Sequence, residues 1–223
     1  EGDASADLVS ANAESLSITD ANLDSGFPLK NGDTNKKISL AMWFKLDTVT
    51  GFQALYAKYE AATNKRSFLI AASDNDLTAY IGHTGGASAE LLFGSGNDLQ
   101  TGRWYHLGFT YDDSDKSWTY KLWDDTAGSA TSGSGTATNN INVEDAAVEI
   151  GAYNDNNNGH LDGLIDEVVV FNDILTPTEI DQIRQGTYAA VPPTTTTTTT
   201  LPPTTTTTTT LPPGDYPTLS SAT

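Results

Sequence analysis

From residue 15 to residue 171 apolar and polar side chains alternate in short runs, and the runs are separated by Gly, Asn and Asp turns. The run Ile38 to Leu46 shows the period most clearly, with Leu40, Met42, Phe44 and Leu46 on one side. Ser39, Ala41, Trp43 and Lys45 fall on the other, because successive side chains of an extended strand point to opposite faces. Further strands are expected at Ser15–Thr19, Phe52–Tyr59, Ser67–Ala72, Leu77–Gly82, Glu90–Gly94, Arg103–Tyr111, Ser117–Trp123, Ala147–Gly151 and Leu164–Phe171. The Gly/Ser/Thr/Ala-rich stretch Asp125 to Asn140 reads as a surface loop or irregular edge. After Asn172 the period changes: Thr176 is an N-cap, Pro177 takes the first helical position, Glu179 adds an acid, and Ile180 and Ile183 form a stripe ending near Gly186. Parallel strands need crossover helices, and the runs have none between them. The chain is therefore expected to be all-β, an antiparallel two-sheet jelly-roll sandwich with one short C-terminal helix, then an extended Thr/Pro tail.

That tail reads VPP, seven threonines, LPP, seven threonines, LPP. A threonine run buries too little apolar surface to offset the entropy of ordering a core, and the Pro-Pro pairs favour polyproline II. Such tracts read as O-glycosylated extracellular stalks, with an unmodified flexible linker as the alternative. The expected attachment points are Thr194, Thr195, Thr196, Thr197, Thr198, Thr199 and Thr200, then Thr204, Thr205, Thr206, Thr207, Thr208, Thr209 and Thr210. The span from Pro192 to Pro213 would reach about 68 Å at ~3.1 Å per residue. The organisation is read as a sandwich over 1–189, a stalk over 190–213, and a segment over 214–223 that is either a docking strand or the start of a following region.

Charge narrows the partners. The net charge is −18, from 29 acids against 11 bases, which repels nucleic acid and anionic membrane while tolerating divalent cations and neutral sugars. There is no cysteine, so no disulfide framework, thiolate metal site or cysteine nucleophile exists. No run approaches the ~20 apolar residues of a membrane span. The opening EGDASADL reads as a mature end left by leader cleavage, which agrees with an extracellular or cell-surface location.

Several motifs resemble a known family. Ser15-Leu-Ser-Ile-Thr-Asp20, Ile38-Ser-Leu-Ala-Met-Trp-Phe-Lys45 and Tyr56-Ala-Lys58 resemble the opening of laminin-G-like, concanavalin-A-like domains, in which a strand carrying a Lys follows an aromatic one. Gly102-Arg-Trp-Tyr-His-Leu-Gly-Phe-Thr-Tyr111 is similar to their central strand. Val148-Glu-Ile-Gly151, Leu161-Asp-Gly-Leu-Ile-Asp-Glu-Val168 and Leu175-Thr-Pro-Thr-Glu-Ile180 resemble their closing signature. The resemblance spans roughly residues 8 to 187. It implies Ca²⁺ on the sandwich rim in the loop Tyr153 to His160, with Asn154 and Asp155 as ligands and Asn158 as a further one. Oxygen-rich side chains suit a hard cation. The same residues also read as an Asn-rich turn that caps its own backbone.

No catalytic set is expected. Asp166 and Glu167 are adjacent, so strict alternation sends them to opposite faces, against the single face a glycosidase pair requires. Trp43 and Trp104 read as core, and His106 as a packed histidine. Trp118 and Tyr120 share one face of their strand and Trp123 takes the other; if the aromatic row is exposed, these three are the candidate ligand contacts. Three functions follow: a self-associating subunit of a surface filament with a glycosylated stalk, a glycan-binding adhesive module, or the non-catalytic appendage of a larger secreted enzyme.

Overall fold

The structure is a computed structural model that describes residues 5–83, 85, 88–94, 96 and 98–189. The fourteen stalk threonines and the segment 214–223 lie outside the described residues. Among the described residues twelve strands and one α-helix run in the order β1 Ala6–Leu8, β2 Leu16–Ile18, β3 Lys37–Leu46, β4 Phe52–Glu60, β5 Lys65–Ser73, β6 Asp76–Gly82, β7 Ala89–Phe93, β8 Trp104–Asp112, β9 Ser117–Asp124, β10 Ser129–Thr136, β11 Val148–Ile150, β12 Gly163–Phe171 and α1 Pro177–Arg184. They build two six-stranded sheets, β1-β12-β3-β8-β9-β10 and β2-β11-β4-β5-β6-β7. All the strand pairings are antiparallel. Non-sequential neighbours such as β12 beside β3 give the crossed connections of a jelly roll.

The alternation seen in the sequence sets the core. Ile38, Leu40, Met42, Phe44 and Leu46 of β3 are fully buried, as are Leu107, Phe109 and Tyr111 of β8 and Phe68 and Ile70 of β5. Phe68 stacks on Phe109 across the sandwich, with ring centroids 5.0 Å apart. Lys58 is a charged side chain sealed in with them. Lys58 is 1% exposed, and its Nζ donates to Asp20 Oδ1 at 2.7 Å, Glu144 O at 2.6 Å and Ala146 O at 2.7 Å. All three ammonium protons have acceptors, which is what burial of a charge requires. Burial lowers its pKa, and the Asp20 carboxylate opposes that shift.

The stretch expected as a surface loop or irregular edge contains a regular strand at the edge of its sheet. β10 pairs with β9 without interruption from Ser129–Asp124 to Thr136–Ser117. Its glycines explain how so small a sequence holds an edge. A Cβ on Gly133 would meet Tyr120 Cε1 at 2.5 Å, and one on Gly135 would meet Trp118 Cζ2 at 2.5 Å. The two rings lie over the bare backbone and supply the packing that the glycines lack.

Helix α1 has the expected start. Thr176 Oγ1 accepts from Glu179 N–H, and Glu179 Oε2 accepts from Thr176 N–H at 2.7 Å, a complete capping box. The helix lies on the outer face of the first sheet, where Gly108 admits Ile180. Lys121 pairs with Asp181 at 2.6 Å, and the Arg184 guanidinium lies 4.1 Å from the Trp123 ring centre.

Candidate functional site

Beside α1 the outer face of the first sheet holds an open depression of about 290 Å³, lined by Trp43, Trp104, Asp125, Asp166 and Glu167. That volume lies just below the roughly 300–1,000 Å³ of small-molecule sites. Cross-strand pairing brings the tryptophans together: Lys45 opposes Trp104, and Trp43 opposes His106. The two indoles meet edge to face at 6.5 Å and 84°, and Lys45 Nζ sits 5.7 Å from the centre of the Trp104 ring. Both tryptophans are half-buried. They form an outward wall, not the core contribution expected of them. The available signal was their company, since each shares its face with polar residues: Trp43 with Ser39 and Lys45, Trp104 with Thr110 and Asp112.

The acids arrive by a defect in the strand. β12 keeps register with β3 up to Asp166–Trp43 and resumes it at Val169–Ala41, so the strand holds a β-bulge between them. Glu167 takes φ 49°, and Asp166 Oδ1 accepts its N–H at 2.8 Å. Inward positions change parity across the bulge, from Ile165 to Val168 and Val170. Asp166 and Glu167 consequently both face the depression, which corrects the expectation that adjacency separates them. Asp125 joins from the turn after β9, where its N–H donates to Trp104 O at 3.0 Å and its Oδ1 accepts Trp123 Nε1–H at 3.4 Å.

His106 lies beneath this site, 2% exposed and 5.1 Å from the Trp43 ring. Burial, helped by the Arg184 charge, lowers its pKa to about 4, so it is a neutral packed histidine near pH 7.

The candidate ligand contacts of β9 fall elsewhere. Trp118 and Tyr120 point inward: Tyr120 is 9% exposed and stacks on Phe93 at 4.3 Å, and Trp118 is partly buried and lies tilted against Phe93 at 5.4 Å. The condition for their contacting a ligand, an exposed aromatic row, is not met. Trp123 points outward beneath Arg184.

The loop expected to hold calcium folds back on itself. Asn154, Asp155 and Asn156 take φ of 67°, 59° and 55°, a left-handed turn that Asn and Asp tolerate. The N–H groups of Asp155 and Asn156 donate to the carboxylate of Glu149, which is 2% exposed on β11. Burial raises the Glu149 pKa, and those two donors oppose the shift. Asn154 Oδ1 accepts Ala62 N–H at 3.1 Å, and Asn158 Oδ1 accepts Asn154 Nδ2–H at 2.7 Å. Two of the three expected ligands thus already direct their oxygens to protein donors. Among the described residues no group of three or more His, Asp or Glu is placed to hold a metal. Calcium takes six to eight oxygens. The donor set present fits a self-capped turn better than a cage.

A second aromatic cluster stands on the outer face of the other sheet. Tyr153 packs on Phe52 at 5.6 Å and on Tyr59 at 6.0 Å, and its ring lies against Gly159, where a Cβ would approach Cε1 to 2.8 Å. The Arg66 guanidinium covers Tyr59 at 5.8 Å. These rings anchor the loop that follows β11.

The family model of the concanavalin A-like lectin/glucanase superfamily matches residues 17–181. No curated protein sequence matches the chain. Among solved structures, a K499G mutant of NanB sialidase from Streptococcus pneumoniae is 25% identical, with a TM-score of 0.55 over 79% of this chain and 26% of that one. The CBM40 of the Ruminococcus gnavus IT-sialidase, bound to alpha2,3 sialyllactose, is 15% identical, with a TM-score of 0.51 over 78% of this chain and 97% of that one. The enzymatically active domain of bacteriophage CBA120 tailspike protein 2 is 16% identical, with a TM-score of 0.53 over 82% and 27%. The chain spans about a quarter of the sialidase and tailspike structures and nearly the whole of the CBM40. Among the described residues no helix is long and apolar enough to cross a membrane.

Proposed function

The chain belongs to the concanavalin A-like lectin/glucanase superfamily, and we propose that it is a non-catalytic glycan-binding module of the cell exterior. The observation that carries this reading is the depression in which two half-buried indoles stand beside three carboxylates. Apolar C–H faces of a sugar ring stack on aromatic walls, and its hydroxyls donate to carboxylate oxygens. The fold likeness to a carbohydrate-binding module supports the same assignment. Asp166 spends Oδ1 on the bulge that aims Glu167, so its role is positioning rather than acid–base chemistry. The Thr/Pro blocks are read with it as an O-glycosylated extracellular spacer, and an intact mass of native material equal to the bare 23.6 kDa polypeptide would remove that element. Glycan-array binding followed by tryptophan fluorescence titration tests the pocket. Trp43→Ala should lose about 2 kcal/mol, roughly thirtyfold in affinity. A ligand whose affinity ignores both Trp43→Ala and Trp104→Ala would place binding elsewhere.

One observation favours a second reading, a self-associating subunit of a surface assembly. β10 ends its sheet as an eight-residue strand without charge, proline or bulge, and natural edges are usually blunted by such features. Sedimentation of the wild type against Thr131→Pro tests it, since a proline that blocks edge pairing should lower the mass of any oligomer.

A further inference from the structure

A row of outward residues leads from the depression to helix α1. Asp166 opposes Trp43, Trp43 opposes His106, and His106 opposes Trp123, so the row crosses β12, β3, β8 and β9. Directly opposed residues share a face of the sheet. Trp43 and Trp123 stand two inter-strand spacings apart, about 10 Å. Asp125 ties the two ends together, because it lines the depression and its Oδ1 accepts Trp123 Nε1–H at 3.4 Å.

Arg184 closes that row with donors to spare. Its guanidinium lies 4.1 Å from the Trp123 ring centre, and its side chain is mostly buried. Its ion pair is loose: Nε stands 3.7 Å from Asp181 Oδ1, beyond hydrogen-bond reach, while Lys121 already holds the other oxygen of that carboxylate at 2.6 Å. Among the described residues, Arg184 Nε is the buried side-chain polar atom without a hydrogen-bond partner. Native folds leave few such groups unpaired, so one beside a hollow points to a partner outside the chain. The guanidinium offers five N–H donors in a fixed fork. The ring and glycosidic oxygens of a sugar accept hydrogen bonds and donate none, so a donor has to meet them.

We infer that Arg184, seated on Trp123, is a second subsite of the glycan site. One sugar unit stacks on the Trp43–Trp104 indoles, and the unit linked to it sets its ring and glycosidic oxygens on the guanidinium. The loose ion pair leaves that guanidinium able to turn toward the ligand. The inference rests on the glycan reading given above and adds the length of what is read: the ligand is at least a disaccharide, and a monosaccharide fills half the site.

The test profiles the full chain on a printed array of hexose, N-acetylhexosamine and uronic acid monosaccharides with the di- and trisaccharides built from them. Arg184→Met and Arg184→Lys are profiled beside it. Wild type should hold disaccharides at least tenfold more tightly than the monosaccharides they contain. Arg184→Met keeps an unbranched stem over Trp123 and removes the fork, so it should bring disaccharides down to the monosaccharide level. Arg184→Lys keeps the charge without the planar fork and should recover only part of the loss. Both variants should unfold within about 4 °C of wild type, since a loose ion pair holds little of the fold. If the methionine variant falls further than that, the lysine variant decides, and its ratio of disaccharide to monosaccharide affinity must drop. A ratio unmoved by both substitutions, or disaccharides no tighter than monosaccharides in the wild type, overturns the second subsite and leaves the glycan reading standing. Binding to no saccharide on the array sinks both.

Discussion

Replacing Lys58 with methionine tests whether the sealed ion pair holds the sandwich together. The substitution keeps the aliphatic length and removes three donated hydrogen bonds. It leaves the Asp20 carboxylate, 7% exposed, with the Asn31 N–H at 3.0 Å as a remaining donor. The carbonyls of Glu144 and Ala146 lose the Lys58 ammonium as well. Breaking one partner from a buried pair costs about 3–5 kcal/mol, because a charge is left inside without its counter-ion. For a domain of this size ~1 kcal/mol moves the midpoint by about 2–4 °C, so a fall of roughly 6–20 °C is expected. Urea unfolding followed by circular dichroism is the assay, and an unchanged m-value would show that only stability moved. Adding Asp20→Asn to the methionine variant should recover part of the loss, since the orphaned charge is then gone. A single variant within about 1 kcal/mol of wild type would refute the reasoning, because solvent would then be reaching a site read as sealed.

Acid should expose His106. Its folded pKa of about 4 lies below the ~6.5 of an unfolded histidine, so the unfolded chain binds more protons between those values. Stability from this group is complete above pH 6.5, declines by up to about 3 kcal/mol as pH falls to 4, and His106→Phe should flatten that slope in urea titrations. Gly133→Ala drives a methyl into the Tyr120 ring and should cost about 1–3 kcal/mol, whereas Ser132→Ala beside it, exposed on the other face, should be neutral. Calcium at millimolar concentration should leave the thermal midpoint unchanged, and a rise reversed by EDTA would show that the 153–158 loop reopens to form a cage.

The fold was legible because its signals are local and repeated. Period two in β3 and β8 separates core from surface residue by residue, and the capping box of α1 lies within four consecutive positions. The β10 strand was hidden because its stability is borrowed: Gly133 and Gly135 have little strand preference of their own and rely on rings that belong to β9. The direction of Trp118 and Tyr120 was hidden for the matching reason. Both rows of β9 contain large side chains, and only the neighbouring strand shows which row has glycine beneath it.

The candidate site fell between these cases. Its indoles could be read from the polar company they keep, but its acids could not, because parity arguments assume an unbroken ladder. At Asp166 the ladder slips by one residue, and the slip places two consecutive carboxylates on one face. The sequence does carry a trace of it. Ile165 and Val170 are both inward although an odd number of steps separates them, so no regular strand satisfies both. A conflict of parity within one apolar run is thus a signal of a bulge, and a bulge beside two indoles is where a surface can gather charge that regular alternation would divide. Restoring the alternation would test that logic: deleting Glu167 should realign Val168 and its successors and remove a carboxylate from the depression together with the turn that aims it.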